Sequence, residues 1–319
     1  MAIHGYAFLE KDFVKFEDAK ISVMTHAFLY GTAVFEGIRA YWNPEKKTLN
    51  LLQARPHLER LMNSCKVLRM NPYYNVDEML ERIIELMRKN KPETDAYIRP
   101  SWFKSSLRIG PSLLGKAAEN EEDESFVITS LDLGNYLDVT KGLRVQVSSW
   151  RRVSDNALPP RAKINGSYVN TALAKANSTL AGYDDSIFLT EEGYVSEGSA
   201  MNLFLVRGEK LITPLGSDNI LEGITRAFVI RLAKEELGLE VETRQINRTE
   251  LYTSDEAFFA GTGAQIAPIG SIDDYVLGNG KCGPITEKLQ GIHKSVCLGE
   301  NEKYADQLTQ ICWEPLSRT

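Results

Sequence analysis

The sequence predicts an α+β, mixed α/β chain of two domains rather than a doubly wound parallel sheet. Three observations predict it. The chain has 319 residues, about twice a common domain length. Stretches of helical period and stretches of strand alternation are interspersed without a regular strand–helix–strand rhythm. A turn-rich stretch, LGNYLDVTKG at residues 133–142, separates the two halves. The predicted organisation is a small N-terminal α/β domain at 1–132, an interdomain loop at 133–142 and a large C-terminal α/β domain at 143–319.

Residues 3–9 and 11–23 read as short strands with a turn near Glu10–Lys11. Residues 56–69 read as a helix, because Leu58, Leu61, Met62, Cys65 and Leu68 recur at helical spacing. Asn75 is placed to cap a second helix. Val76, Met79, Leu80, Ile83, Ile84 and Met87 follow it at offsets that keep them on one face. Residues 95–104 and 125–131 read as strands. The acidic run Glu119–Glu124 between them reads as a solvated loop. Past the linker, Leu143, Val145 and Val147 alternate as in a half-buried strand. A helix is predicted at 167–181, ending before Gly182, then a hairpin around Arg207–Gly208 and a helix from Gly223 to Leu237 stopped by Gly238. Strands at 240–246 and 255–260 and a helix at 284–298 complete the reading.

Composition excludes several classes of function. Hydrophobic residues are 43% and charged residues 25%, an ordinary globular balance. The formal charge of −6 argues against a nucleic-acid binder. No stretch of about 18 consecutive apolar residues exists, so no membrane span is expected. The start MAIHGYAFLEKDF carries no basic region followed by an apolar run, so no secretory signal is expected. Cys65, Cys282, Cys297 and Cys312 are widely spaced, which fits reduced cytoplasmic thiols better than a disulfide framework. His4, His26, His57 and His293 are scattered, and no metal site is expected. The phosphate-loop, dinucleotide, zinc-protease and serine-hydrolase motifs are all missing.

Seven segments remain: HAFLYGTAVFEGIRAY (26–41), RPHLERL (55–61), AYIRP (96–100), RAKINGSYVN (161–170), GYVSEGSAMNLF (193–204), LEGITR (221–226) and AGTGAQIAPI (260–269). In this order they resemble the fold-type IV, pyridoxal-phosphate (PLP) dependent aminotransferases, the D-amino-acid aminotransferase-like fold. Within them, they resemble the branched-chain amino-acid aminotransferases. The resemblance runs from about residue 6 to 298.

The resemblance implies a transaminase that moves the amino group of L-leucine, L-isoleucine or L-valine to 2-oxoglutarate, giving L-glutamate. Alternatives on the same fold are a D-amino-acid or (R)-amine transaminase or an aminodeoxychorismate lyase. A noncatalytic binding protein on this fold is the alternative of another class. Such chemistry needs a lysine that joins the cofactor aldehyde and carries a proton to and from the substrate Cα. The matching residue is Lys163, set among small and apolar neighbours in AKING. Glu197 in SEG matches the acid that holds the pyridine nitrogen protonated. Tyr168 matches the tyrosine on the phenolic oxygen.

Gly223, Ile224 and Thr225 open a predicted helix whose free N–H groups suit a dianion. The resemblance assigns phosphate contact to Arg60, Ile224, Thr225 and Thr262. Tyr97 and Arg99 alternate on one side of a strand. In the family, the tyrosine contacts the α-carboxylate region and the arginine takes the distal carboxylate. Phe35, Gly37, Tyr30 and Tyr136 are expected to shape the side-chain pocket, Tyr30 reaching across from a partner subunit. Gly263 and Ala264 are expected to offer N–H groups to the α-carboxylate. Met201 departs from the pattern, standing where many branched-chain enzymes have an acid, and Leu133–Tyr136 replaces a tryptophan-bearing loop. The expected partners are small-molecule substrates and a second copy of the chain in a dimer or dimer-based assembly. The expected compartment is the cytoplasm.

Overall fold

The computed structural model describes residues 2–114, 123–134 and 141–313. The chain divides into two units. The first is Met1–Gly134, Ala162–Gly166 and Ser295–Thr319, and the second is Asn135–Arg161 and Ser167–Lys294.

In the first unit, β1 (Tyr6–Leu9) and β2 (Asp12–Lys15) form a hairpin closed at Glu10, whose φ is +59°. There follow α1 (His26–Tyr30), β3 (Ala33–Phe35), β4 (Ile38–Asn43), β5 (Thr48–Leu52), α2 (Ala54–Val67), α3 (Val76–Asn90), β6 (Ala96–Lys104) and β7 (Glu124–Asp132). The strand expected over 11–23 stops at Lys15. The residues after it, FEDAK, are mostly poor strand formers, and Phe16–Asp18 turn into a 3-10 helix instead. In α3 the expected cap is present in full. The Asn75 side chain accepts from Glu78 N–H, and the Glu78 carboxylate accepts from Asn75 N–H. Met79, Ile83, Leu86 and Met87 on its inner face are buried. Trp102 and Phe126 stack at 4.7 Å in the same core, and the Trp102 indole N–H donates to Met79 Sδ.

In the second unit, β8 (Leu143–Arg151), α4 (Tyr168–Leu180), β9 (Asp185–Leu189), β10 (Val195–Gly198), β11 (Asn202–Arg207) and β12 (Lys210–Thr213) come first. They precede α5 (Ile224–Leu237), β13 (Glu240–Thr243), β14 (Glu256–Gly261), β15 (Gln265–Ile272), β16 (Tyr275–Val276) and α6 (Pro284–Cys297). Gly238 ends α5 in the left-handed region, φ +64°. The strand order is β10-β9-β8-β15-β14-β11-β12-β13, with β16 on β15. β8 runs parallel to β9 and to β15, and β12 runs parallel to β13. The rest are antiparallel, so this is not the doubly wound parallel sheet that the sequence argues against. Leu143, Val145, Ile187, Leu203, Leu205, Phe259 and Ile269 are among its buried core.

The chain then returns to the first unit with β17 (Leu308–Cys312), which pairs antiparallel with β5. The first sheet thus runs β17-β5-β4-β6-β7-β1-β2, with β3 on β6, all antiparallel. The sequence places one boundary at 133–142. The structure adds three further crossings, because two later segments return to the first unit. Residues 308–312 belong with the first unit because they extend its sheet. Residues 162–166 belong there because Ile164 bridges Val34. No helix among the described residues is long and apolar enough to cross a membrane.

Candidate active site

Lys163 is clamped by its backbone. Its carbonyl accepts from Phe35 N–H at 3.1 Å and its N–H donates to Ser64 Oγ at 3.1 Å. Ser64 lies buried on α2. These bonds fix Lys163 against β3, and the half-buried Nζ stands 5.0 Å from the centroid of the Phe35 ring. The Arg99 guanidinium lies 3.8 Å from the same centroid. On β6, Ala96, Ile98 and Pro100 are buried, whereas Tyr97 is half-buried and Arg99 exposed, so the expected alternation is present. The Arg99 side chain makes no hydrogen bond or ion pair among the described residues. Gly37 is held to hydrogen by Tyr97. A Cβ there would sit 2.3 Å from Tyr97 Oη and 2.7 Å from Cζ. Lys163, Phe35, Gly37, Tyr97 and Arg99 therefore form one cluster.

Beside that cluster is a buried ionic group that joins the expected Arg60 to two residues that sequence reasoning missed, Glu36 and His57. Glu36 follows Phe35 and is fully buried. Its carboxylate accepts from Arg60 Nε at 2.6 Å and Nη2 at 2.8 Å, and is 2.7 Å from His57 Nδ1. Burial pushes the Glu36 carboxyl up, yet the Arg60 charge and the His57 contact bring it down to about 2. Burial lowers His57 below its ordinary value, against the pull of Glu36. The ring is then neutral near pH 7, and because the carboxylate only accepts, the proton sits on Nδ1. His57 and Arg60 are three residues apart on α2, so one helix face serves both oxygens.

In the second unit, Glu197 is buried in β10. One oxygen is 2.9 Å from Arg152 Nη2. The other accepts from Asn202 Nδ2 at 3.0 Å and Leu221 N–H at 3.2 Å. A guanidinium, an amide and a backbone N–H suit the ionised carboxylate. Sequence reasoning also missed Arg152 and Asn202. The only signal for Asn202 is its place five residues after Glu197 in SEGSAMN.

Tyr168 begins α4, and Thr171 on the same first turn donates to Ser199 O, tying the helix start to the turn after Glu197. The α5 N-terminus has Gly223 at the cap and no side-chain cap, leaving the first N–H groups for an outside acceptor. A Cβ on Gly223 would sit 1.9 Å from Asn202 Oδ1, so the residue that holds Glu197 also packs against this helix start. Thr262, Gly263 and Ala264 form the turn between β14 and β15, closed by Gln265 at φ +58°. Thr262 and Gly263 are half-buried and Ala264 is buried.

Of the other expected residues, Tyr30 ends α1, partly exposed, with its hydroxyl accepting from Gly110 N–H at 2.7 Å. Tyr136 lies outside the described residues. Met201 is buried in the core of its unit, against the position a Gly261 side chain would take. Among the described residues, no group of histidine, cysteine and carboxylate side chains is placed to hold a metal ion.

The family model described as "Amino-transferase class IV" matches residues 33–272. A probable branched-chain-amino-acid aminotransferase of Aquifex aeolicus (strain VF5) is 45% identical over 306 residues, 96% of each chain. The branched-chain aminotransferase of Thermoproteus uzoniensis solved with norvaline is 40% identical, with a TM-score of 0.89 over 96% of this chain and 99% of that one. The branched-chain amino acid aminotransferase of Thermobaculum terrenum, solved in its PLP-bound holo form, is 37% identical, with a TM-score of 0.89 over 97% and 99%.

Proposed function

This chain belongs to the class IV aminotransferases, and on that premise we propose that it moves the amino group of L-leucine, L-isoleucine or L-valine to 2-oxoglutarate. The products are the branched-chain 2-oxo acids and L-glutamate, and the cofactor is pyridoxal phosphate. The observation that carries the reading is the Phe35 cluster. One aromatic ring has the Lys163 amine and a guanidinium without an ion-pair partner among the described residues beside it. That combination serves an apolar amino acid and a dicarboxylate in turn.

The donor set fits the cofactor. A buried carboxylate held by three donors suits a protonated ring nitrogen, an uncapped helix start suits a phosphate, and Lys163 suits an aldehyde. When bound, pyridoxal phosphate supplies an electron sink for charge developing at the substrate Cα. Glu197 would accept from the ring N–H and Tyr168 would donate to the phenolic oxygen. Arg60, Thr262 and the N–H groups at Gly223, Ile224 and Thr225 would hold the phosphate. Lys163 Nζ would take the proton from the substrate Cα and return one to the cofactor carbon.

Gly263 and Ala264 N–H would orient the α-carboxylate together with Tyr97. Phe35, Gly37, Tyr30 and Tyr136 would shape the side-chain pocket, and Arg99 would receive the distal carboxylate of glutamate or 2-oxoglutarate. The molecule would work as a dimer in the cytoplasm, with Tyr30 serving the partner's pocket. Exposed Val23, Phe28, Leu29, Leu107 and Ile109 support burial against a second copy, and four widely spaced cysteines outside any disulfide support a reducing compartment.

Paired assays with L-leucine, D-alanine and an (R)-amine test the reading, together with borohydride reduction and peptide mass mapping. Turnover confined to the L-substrate and a pyridoxyl adduct on Lys163 are expected. A preference for D-alanine, or an adduct on another lysine, overturns it.

A further inference from the structure

Stability alone does not call for the Glu36–His57–Arg60 group. A buried ion pair is often matched or exceeded in stability by apolar residues of similar volume. Here a carboxylate, a guanidinium and an imidazole are packed beside Lys163, whose charge acts on the His57 ring. The pair is side-on, using Nε and Nη2 of Arg60 at 2.6 and 2.8 Å. Such a pair fixes the plane of the guanidinium and therefore the directions in which all its N–H groups point. His57 in turn fixes the carboxylate by its Nδ1–H. Both partners come from one face of α2, while Glu36 comes from the short link between β3 and β4.

We propose that Glu36 and His57 are positioning residues that aim Arg60 at the cofactor phosphate, so that the group recognises the phosphate monoester rather than merely filling the core. This inference rests on the assignment of Arg60 to the phosphate. Glu36 is fully buried, so its effect on a ligand passes through Arg60.

The test compares two ligands that differ only in the phosphate. Full-length protein freed of cofactor is titrated with pyridoxal phosphate and with pyridoxal, and the ratio of the two Kd values is the readout. A loss of folding moves both affinities together and leaves that ratio alone. Glu36→Gln is expected to weaken pyridoxal phosphate about tenfold to a hundredfold and pyridoxal less than about threefold. His57→Leu is expected to lose part of the ratio, and His57→Asn, which keeps a donor at the Nδ1 position, to restore it. If Glu36→Gln does not fold, the two His57 variants decide the matter. A ratio unchanged or increased in the variants overturns the inference, since Glu36 would then only neutralise Arg60. Arg60→Met separates the two levels. Loss of the ratio there with none in Glu36→Gln sinks the positioning role alone, and no loss in Arg60→Met sinks the phosphate assignment beneath it.

Discussion

Replacing Arg99 by alanine should separate the two half-reactions. The guanidinium is exposed, 3.8 Å from the Phe35 centroid, and has no ion-pair partner among the described residues. A substrate carboxylate would therefore meet it without breaking an internal ion pair. Hydrogen bonds to a charged group contribute roughly 1.5–3 kcal/mol, which is about a tenfold to 150-fold loss of kcat/KM for glutamate and 2-oxoglutarate. Leucine has no distal carboxylate. It loses only what Arg99 contributes by covering Phe35, about 0.5–1 kcal/mol for an exposed cation–π contact, or up to about fivefold. Arg99→Lys keeps the charge but not the fork, and should fall between. The assay is single-turnover kinetics of each half-reaction with leucine and with glutamate as donor. Equal losses for the two donors would refute dual recognition by this side chain.

Lys163→Ala should abolish turnover while leaving thermal unfolding of the cofactor-free chain within a few degrees. The backbone bonds of residue 163 to Phe35 and Ser64 do not need the side chain, and measurable transamination would remove Lys163 from its role. Gly37→Ala should raise KM for every amino acid by about tenfold or more. Its Cβ would lie 2.3 Å from Tyr97 Oη and so displace the ring, and unchanged KM values would show that Tyr97 does not touch substrate. Glu36 gives a pH signature. Its carboxyl is held at about 2 against an ordinary 4.5, worth on the order of 3 kcal/mol. A depressed carboxyl stabilises the fold above its unfolded pKa, so that stabilisation is complete above about pH 4.5 and is lost as pH falls toward about 2. Urea unfolding should show Glu36→Gln less stable by about that amount at pH 7, with the gap closing between pH 4.5 and 2. A gap that does not change with pH contradicts the ion pair.

Much of the second unit and the helices α2 and α3 of the first are legible in the sequence because their signals are local, whereas the five-residue α1 is not. α3 carries its own cap at Asn75 and a one-faced apolar stripe, and α5 its own stop at Gly238. The strands β3, β4 and β5 are not legible. All five residues of β5 are buried, so no alternation marks it, and β4 is buried at all but one position. β17 is decided by pairing with β5 across more than 250 residues, which no local pattern reports. The site divides the same way. The resemblance assigns roles to Lys163, Glu197 and Thr262 through the segments around them. Their supports cannot be found that way, because Glu36 meets His57 across 21 residues and Arg152 meets Glu197 across 45, both through chain return. Met201 reads in the sequence as a variation in the site, whereas its side chain is core.

The supports share one physical design. Within the first unit Arg60 is paired with Glu36, and within the second Glu197 is paired with Arg152, each pair made by the chain's own residues. A charge already held by a counter-charge and by hydrogen bonds does not have to be oriented during the reaction, so the cost of ordering it falls on folding. Arg99 is built the opposite way, over an aromatic ring and without a counter-ion among the described residues. On the proposed assignment, that contrast follows from what each group would do. A cofactor is one ligand with fixed charges, and fixed partners suit it. The two substrates differ at the distal end, one apolar and one anionic, and a cation tied to an internal carboxylate would have to break that pair for every second half-reaction. A guanidinium resting on Phe35 can give its charge to the dicarboxylate and its flat face to the apolar chain.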